Sequence, residues 1–389
     1  MRSAFWLRSQ ADRDYRQIAL RPEQSDRGVY LSISHPTNFS TTECGKPVRS
    51  FPGLPFQGND RNVLMVGSNQ RAVAVADKLI GKSGLGYQLT GFVDDHWDFD
   101  GAPPHYKEML VGGTKEIAEL LRDLALDDVF IALPIDSNHQ LVQEIVDLCQ
   151  VQGISVISEA RNCKVESLNV FPVSAGLTIV SLYDCSRDKW RDSIKRILDI
   201  IVSATALIML LPVLACIALG IKLTSPGPVI FSQERLGLGK RLFQVFKFRT
   251  MVSDAESLMV KLEHLNESAG PNFKLKNDPR VTPIGSILRK TSLDELPQLF
   301  NVLLGDMSLV GPRPIVMRDY RGISEDWHRR RFSVKPGITC LWQISGRNAV
   351  TFDRWMELDR DYIDGWSLRL DIKILVKTIP AVLRGSGAM

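Results

Sequence analysis

The sequence has 389 residues, enough for two or three domains, and its 44% hydrophobic and 24% charged residues exclude a wholly disordered chain and a many-helix transporter. The formal charge of +4 is mild, so the overall composition predicts no nucleic-acid partner. The six cysteines include no C-x-x-C pair and the six histidines no H-x-x-x-H cluster. These spacings argue against a zinc ribbon, a disulfide framework or a histidine-rich metal site, and are typical of reduced thiols facing the cytoplasm.

The first 58 residues are polar, charged and rich in turn formers. No apolar run among them reaches the roughly 18 residues that a membrane helix needs. No apolar core follows the early arginines, so the segment does not resemble a secretory signal. We predict a poorly ordered tail over residues 1–58.

Residues 60–160 alternate between short β-branched runs and amphipathic helical patterns. The runs that predict strands are "NVLMVG", "YQLTGFVDD", "DVFIALP" and "ISVISEA". The patterns that predict helices are "NQRAVAVADKLIGK", "TKEIAELLRDLALD" and "NHQLVQEIVDLCQVQG". Such alternation is typical of a parallel sheet with helices on its faces. We therefore predict an α/β fold with a Rossmann-like, doubly wound middle domain over residues 60–160, followed by a linker over residues 161–186.

The dinucleotide-binding fingerprint of this domain is incomplete. Gly67 follows the first strand, and Asp94 and Asp95 end the second, as in nucleotide-binding sheets. A G-x-G-x-x-G turn would need two further glycines, but the chain has Asn69 and Ala72 at those positions. A side chain at the first of them would crowd a pyrophosphate. The pattern favours a regulatory or scaffolding domain, with nucleotide binding as the alternative.

A long apolar run follows a basic, amphipathic lead. Residues 200–221 contain no charged residue over 22 positions, which is long enough to cross a bilayer. The alternative is a core helix of a soluble domain, but such a helix normally keeps one polar face and this run has none. We predict insertion into the membrane.

The flanks of this run favour re-entry over crossing. Pro212 lies in mid-run, where a proline removes a hydrogen bond and bends a helix. Cations flank both ends, with Lys195 and Arg196 before the run and Lys222 after it, and basic flanks tend to stay in the cytoplasm. We predict a helix that enters, kinks at Leu211 and Pro212 and returns to the same face. A plain span would instead place the folded regions on opposite sides.

Three long motifs occupy the second half of the chain. They are "IKRILDIIVSATALIMLLPVLACIALGIKLTSPGPVIFSQERLGLGKRLFQVFKFRTM", "DPRVTPIGSILRKTSLDELPQLFNVLLGDMSLVGPRP" and "VKPGITCLWQISGRN". Over roughly residues 186–386 they closely resemble the bacterial sugar transferases, the monotopic polyprenyl-phosphate phosphoglycosyltransferases that begin exopolysaccharide, O-antigen and capsule assembly. The larger members carry a similar sheet domain, usually preceded by transmembrane helices that are not seen here. We expect either a naturally short form or a start downstream of the true one.

The resemblance implies a mainly α, membrane-embedded catalytic domain over residues 187–386, at the bacterial inner membrane and facing the cytoplasm. It implies that Asp294 is the nucleophile, with Glu295 beside it. The carboxylate would attack the sugar-linked phosphorus of a UDP-sugar, release UMP and pass the sugar phosphate to undecaprenyl phosphate. The family does not identify the sugar, and a homo-oligomer is left open.

The residues around the acid pair are consistent with this chemistry, because two anionic phosphates can meet only where cations gather. Arg289 and Lys290 would lie one helical turn before Asp294 if "SILRKTSLDEL" is helical. Arg313, between two prolines, could offer a forked donor set to phosphate oxygens. The alternatives are a solvated face for the first two and a structural pairing role for the third.

Further candidates complete the predicted site. Lys247 and Arg249 in "FKFRTM" are candidates for contact with phosphate or with the lipid headgroup. Mg²⁺ would neutralise the diphosphate, and a hard carboxylate such as Asp294 suits that ion. Trp355 and Trp366 are expected at headgroup depth on a pair of interfacial helices, with core packing as the alternative.

Two other functions compete with this interpretation. The first is a nucleotide-sugar oxidoreductase or epimerase built on the middle sheet, against which the broken glycine turn and the lack of a Tyr-x-x-x-Lys pair after it both count. The second is a non-catalytic membrane scaffold for a polysaccharide assembly complex. It predicts that Asp294 can be replaced without consequence.

Overall fold

The computed structural model describes residues 61–80, 86–97, 99–160, 170–173, 177–185, 189–267, 275, 277–346 and 350–383. The tail predicted for residues 1–58 lies outside this set. The fold is a mixed α/β structure with a largely parallel sheet in its first half and one long apolar helix in its second.

Among the described residues, the sheet has seven strands. They are β1 (Arg61–Val66), β2 (Tyr87–Val93), β3 (Leu110–Gly112), β4 (Asp128–Ile131), β5 (Ser155–Glu159), β6 (Val170–Val173) and β7 (Leu177–Tyr183). Their order across the sheet is β3-β2-β1-β4-β5-β7-β6, and the first five are parallel. All four strands predicted from short apolar runs are present.

Helices cover both faces of this sheet. They are α1 (Gln70–Ile80), α2 (Pro104–Lys107), α3 (Ile117–Asp123) and α4 (His139–Gln152). Side chains of β1 alternate between two cores: Val63 and Met65 pack with α1, and Leu64 and Val66 pack with α3 and α4. This alternation follows from the two-residue repeat of a strand and explains why the predicted run is apolar throughout.

The sheet includes two strands, Val170–Val173 and Leu177–Tyr183, within residues 161–186, the range predicted as a linker. β7 pairs antiparallel with β5, and β6 pairs antiparallel with β7. An antiparallel edge added to a parallel sheet needs no crossover helix, so the alternation of strands and helices gave no signal for it. The domain boundaries as a whole stay a prediction.

The apolar run forms helix α5 (Lys189–Thr224), 36 residues long with Pro212 inside it. By length and composition alone, it is the one helix of the described chain that could cross a membrane. Its apolar side chains are largely exposed, among them Ile208 at 75% and Met209 at 76%. A core helix of a soluble domain would bury such residues. The kink at Leu211 and Pro212 and the return to one face stay predictions.

The second half of the chain is built around α5. A hairpin follows it, with strands β8 (Ile230–Leu236) and β9 (Leu242–Phe248), and the short strands β10 (Ser308–Val310) and β11 (Gly337–Thr339) pair in parallel. The helices are α6 (Ala255–Leu262), α7 (Pro283–Lys290), α8 (Gln298–Leu304), α9 (Met317–Arg321), α10 (Leu341–Ile344), α11 (Phe352–Asp364) and α12 (Leu368–Leu383). One core joins α5, β9, α8, α11 and α12.

The start of α5 is tied to this core by two cations. Arg196 donates to the backbone carbonyls of Val302 and Leu303 at the end of α8, where a helix leaves carbonyls unpaired. Lys195 forms a 2.6 Å ion pair with the buried Asp371 of α12. The basic lead of the long helix is therefore an anchor to the folded protein.

The tryptophans predicted at headgroup depth lie within the protein. Trp355 is buried and stacks on Trp342, with ring centroids 5.1 Å apart. Trp366 is partly buried and donates to Asp371 over 3.2 Å. The alternative of core packing therefore describes them, because each ring has partners in the fold. The apolar residues exposed on α12 are instead Ile372, Val376 and Ile379.

Candidate active site

The acid pair lies on a short 3₁₀ turn, Leu293–Glu295, between α7 and α8. The helix predicted through "SILRKTSLDEL" ends earlier than expected, at Lys290. Ser292 has a left-handed backbone, with φ of 54°, which a continuing helix cannot accommodate. The prediction that Arg289 and Lys290 lie one helical turn from Asp294 was therefore wrong about the geometry.

Two cations converge on Glu295. Oε1 of Glu295 accepts a 2.9 Å hydrogen bond from Lys247 Nζ of β9 and a 2.7 Å hydrogen bond from Nη2 of Arg313. The three side chains are 13% to 25% exposed. The structure thus brings together residues from two of the three long motifs of the sequence.

The electrostatics fix the charges of this cluster. Burial opposes ionisation of Glu295, but the charges of Arg313 and Lys247 and their hydrogen bonds hold the pKa of its carboxyl far below its usual range. The charge of Glu295 in turn raises the pKa of Arg313. Glu295 is therefore a permanent anion that holds two cations in place.

Asp294 differs from its neighbour. Its side chain is half-buried, and in the part of the chain that the structure describes it forms no ion pair. Burial raises the pKa of its carboxyl, as does the charge of Glu295, while Lys247 and Arg289 act in the opposite direction. One carboxylate of the pair is thus engaged and the other is available to a substrate.

The remaining predicted cations have different surroundings. Nε of Arg289 donates to Thr250 Oγ1 over 3.0 Å, and its charge still acts on Asp294. Lys290, the last residue of α7, is exposed. Arg249 is buried, and its Nη2 donates to the backbone and hydroxyl oxygens of Ser225 just after α5.

Close backbone contacts explain how β9 and its neighbours reach the turn. A side chain at Gly285 of α7 would place its Cβ 2.0 Å from the carbonyl oxygen of Thr250, so only glycine allows this approach. The buried Asn301 of α8 accepts from the amide of Phe246 over 3.0 Å and donates to the carbonyl of Gln244 over 2.6 Å. It therefore fixes β9 three residues before Lys247 and immediately before it.

Two arginines that the sequence did not single out support Arg313. Arg235 of β8 donates to the carbonyl of Pro314 over 2.7 Å. Arg331, which is buried, donates to the carbonyl of Arg313 itself and pairs with Asp359 at 3.1 Å. Both arginines occur in charge-rich stretches that look like solvated surface. The one available signal for a supporting role was in "SQERLGL", where Arg235 stands beside apolar residues.

The residues present are compatible with a bound Mg²⁺. Among the described residues, no group of three or more His, Cys, Asp or Glu side chains converges on one point. Mg²⁺ is commonly held by one or two carboxylates together with substrate phosphates, and keeps several waters. Asp294, half-buried and without an ion pair to a described residue, meets that requirement.

The turn after β1 is closed by its own residues. The amide and hydroxyl of Ser68 each donate to Oδ2 of Asp94 over 2.7 Å. Asn69 accepts from the amide of Ala72 and donates to the carbonyl of Ala132 at the end of β4. The groups that a nucleotide phosphate or ribose would contact thus form hydrogen bonds with each other and with neighbouring residues of the sheet half, the part of the chain that forms the seven-stranded sheet.

Comparison with known proteins gives several matches. A profile of the bacterial sugar transferase family matches residues 190–385. Galactosyl transferase CpsE of Streptococcus agalactiae serotype III is 41% identical over 276 residues, which are 68% of this chain and 60% of that protein. Undecaprenyl-phosphate galactose phosphotransferase of Salmonella typhimurium is 33% identical over 337 residues, 84% of this chain and 69% of that protein.

The name of a third relative states both substrates of its reaction. UDP-glucose:undecaprenyl-phosphate glucose-1-phosphate transferase of Klebsiella pneumoniae is 34% identical over 336 residues, 82% of this chain and 67% of that protein. The chain therefore spans 60% to 69% of the length of these three relatives.

Proposed function

Because the chain belongs to the bacterial sugar transferase family, we propose that it transfers a sugar-1-phosphate from a UDP-sugar to undecaprenyl phosphate. The products are undecaprenyl-diphosphate-sugar and UMP, and the reaction is the first membrane step of exopolysaccharide, O-antigen or capsule assembly. The predicted family is confirmed, and with it the prediction that the chain is a transferase.

One observation carries the proposal: two adjacent carboxylates that the fold treats differently. Lys247 and Arg313 hold Glu295 as an anion, and Asp294 beside it is half-buried without an ion pair to a described residue. An oxygen of Asp294 forms a bond to the sugar-linked phosphorus while the bond from that phosphorus to the UMP oxygen breaks. A carboxylate is suited to this step, since an acyl phosphate is readily transferred onward.

The second step restores the enzyme. An oxygen of undecaprenyl phosphate attacks the phosphorus held on Asp294, and the carboxylate leaves. The cations already held by Glu295 balance the charge of the phosphates that meet at this point. Arg289, supported by Thr250, adds a third positive charge near Asp294.

The membrane placement follows from the substrates. The UDP-sugar is dissolved in water and the acceptor phosphate lies at the headgroup level. The active site must therefore be reachable from both the water and the membrane surface. We propose that α5 enters the cytoplasmic leaflet of the bacterial inner membrane, bends at Leu211 and Pro212, and returns to the cytoplasmic face. Arg249, beside Ser225 at the end of this helix, then lies near lipid headgroups.

Mg²⁺ is proposed as the cofactor. Asp294 and the donor diphosphate would hold it, because Glu295 is already paired with two cations. When bound, the ion neutralises the diphosphate and polarises its phosphoryl oxygens.

The sheet half is proposed to be a Rossmann-like scaffolding or regulatory domain. Its strand order and its helices on both faces support this assignment. The closed turn around Ser68 and Asp94 supports a role other than dinucleotide binding.

The decisive experiment is UMP release by purified protein in lipid, with undecaprenyl phosphate and a panel of UDP-glucose, UDP-galactose and UDP-N-acetylhexosamines. We expect one donor to be preferred and Asp294→Asn to abolish turnover, because an amide cannot form the acyl phosphate. Asp353→Asn, on the exposed start of α11, serves as the matched control. Turnover of Asp294→Asn within a few-fold of the parent would sink the assignment of the nucleophile, whereas no UMP release by the parent from any donor would favour the scaffold.

A further inference from the structure

The tip of the β8–β9 hairpin, residues 237–241, contacts the sheet half of the chain. Nζ of the buried Lys240 donates to the carbonyl oxygens of Leu121 and Arg122 at the end of α3. A helix leaves these carbonyls unpaired and carries partial negative charge at this end. The amine of a lysine from the second half of the chain therefore caps a helix of the sheet half.

The backbone at this point is strained where it places that amine. Gly239 and Lys240 both have left-handed backbones, with φ of 59° and 61°. The conformation suits glycine but is unusual for lysine, and such residues persist where the surroundings require them. The requirement here is the amine, which a glycine could not supply.

Further contacts join the same two regions. Arg241 pairs with Asp127, with Nη1 2.9 Å from Oδ1, and the amide of Asn62 in β1 donates to the other carboxylate oxygen over 2.7 Å. The hydroxyl of Tyr320 donates to the carbonyl of Arg122. The hairpin tip is thus attached to a residue that is itself fixed in the sheet.

This contact is continuous with the active site through one strand. β9 begins at Leu242, directly after Arg241, and Lys247 is its next-to-last residue. A paired strand is a stiff element, so its two ends cannot move independently. Asn301 fixes the strand near Lys247, and the sheet half fixes it at the tip.

We propose that the sheet half positions the active-site Lys247, by clamping the tip of the hairpin through Lys240 and Arg241. Lys240 and Arg241 are positioning residues, since neither contacts Asp294 or Glu295. The activity readout below rests on the proposed function, whereas the exchange readout does not.

The test uses the full chain in lipid and two variants of the clamp, Lys240→Met and Arg241→Gln. The matched control is Arg61→Gln, which removes an Arg–Asp pair of 2.6 Å within the sheet half, at Asp128 next to Asp127. We expect amide hydrogen exchange in residues 242–248 to be about tenfold faster in both clamp variants and unchanged in the control. Unchanged exchange in both clamp variants, in folded protein, would overturn the proposal.

Activity supplies the second measurement. Arg241→Gln should lower the rate of UMP release about tenfold in the parent, and should have little further effect in a Lys247→Ala background. An equal loss in both backgrounds would show that the effect does not pass through Lys247, and the proposal would be wrong. If the parent releases no UMP from any donor, the proposed function fails. The exchange measurement alone then tests whether Lys240 and Arg241 position Lys247.

Discussion

Arg313 donates a 2.7 Å hydrogen bond to Glu295, a residue 18 positions earlier in the sequence. The pair links two parts of one motif, because Glu295 lies on the turn after α7 and Arg313 lies between Pro312 and Pro314. Lys247 reaches the same oxygen from β9. Glu295 is therefore the residue on which the cations of the site are assembled, and several outcomes depend on it.

Replacing Glu295 with Gln should be severe for both activity and stability. The neutral amide leaves Lys247 and Arg313 without their anion, and breaking a buried ion pair costs about 3–5 kcal/mol. We expect UMP release to fall at least about 100-fold, since the displaced cations no longer face the phosphates. Thermal unfolding should shift downward in parallel. Glu357→Gln, in an exposed ion pair of α11, is the control, and an effect of similar size there would contradict the assignment.

Substitutions of Arg313 should separate charge from geometry. Arg313→Ala should lower kcat/KM for the UDP-sugar about 100-fold, and Arg313→Lys should lower it less, because lysine keeps the charge but loses the fork. The measurement is initial-rate kinetics across a range of donor concentrations. Arg354→Ala, which removes an exposed arginine, should be neutral. Equal losses for Ala and Lys would mean that the charge alone contributes nothing.

Removal of divalent cations should stop the reaction. We expect chelation to abolish UMP release and added Mg²⁺ to restore it, because the donor diphosphate must be neutralised before a carboxylate can approach. Mn²⁺, another ion that prefers oxygen ligands, should substitute in part. Full activity of carefully chelated protein would exclude the metal role proposed for Asp294.

Replacing Pro212 with Leu should change how α5 lies in the membrane. Leucine restores the missing backbone donor and favours a straight helix that crosses the bilayer. Single cysteines near Lys189 and at Ser232 report the two sides in intact cells. In the parent, both should resist an impermeant reagent until the membrane is opened. If only one of the two is protected in the parent, α5 spans the membrane and the re-entrant proposal is wrong.

Through Asp359, the stability of the protein should decrease as the pH rises, which is the opposite of the usual effect of a carboxyl group. Burial raises the pKa of its carboxyl to about 6 despite the charge of Arg331, above the ordinary value of 3.8. The folded state therefore binds the proton more tightly than the unfolded state, so this contribution to stability is present below pH 4 and is lost as the pH rises through 6. Thermal unfolding between pH 4.5 and 7.5 should show a flatter dependence in Asp359→Asn. An unchanged slope would contradict the assignment.

The sequence predicted the parts of the fold that have local signals. β1, β2, β4 and β5 were each visible as short apolar runs between helical patterns. The left-handed Ser292 was not, because a serine gives no sign of a positive φ, and so the helix was extended too far. Local reasoning predicts elements and misses the breaks that tertiary contacts impose.

In the candidate site, too, local sequence signals predicted some features and tertiary contacts determined the rest. Asp294 and Glu295 were identified by the motif that contains them, but their different environments were not. Lys247 lies 48 positions from Glu295, and no spacing rule links a strand residue to a turn residue at that distance. The support that Arg331 gives to Arg313 was hidden in "HRRRF", which has the composition of exposed surface.

The attachment of α5 to the catalytic core by Lys195 and Arg196 has a mechanical consequence. Arg196 holds the end of α8, and α8 begins four residues after Asp294. With α5 in the bilayer as proposed, these contacts hold the reactive carboxylate of Asp294 at a fixed distance above the acyl chains. Turnover should then vary with the acyl-chain length of the surrounding lipid, because a thicker or thinner leaflet moves the acceptor phosphate relative to a carboxylate that cannot follow it.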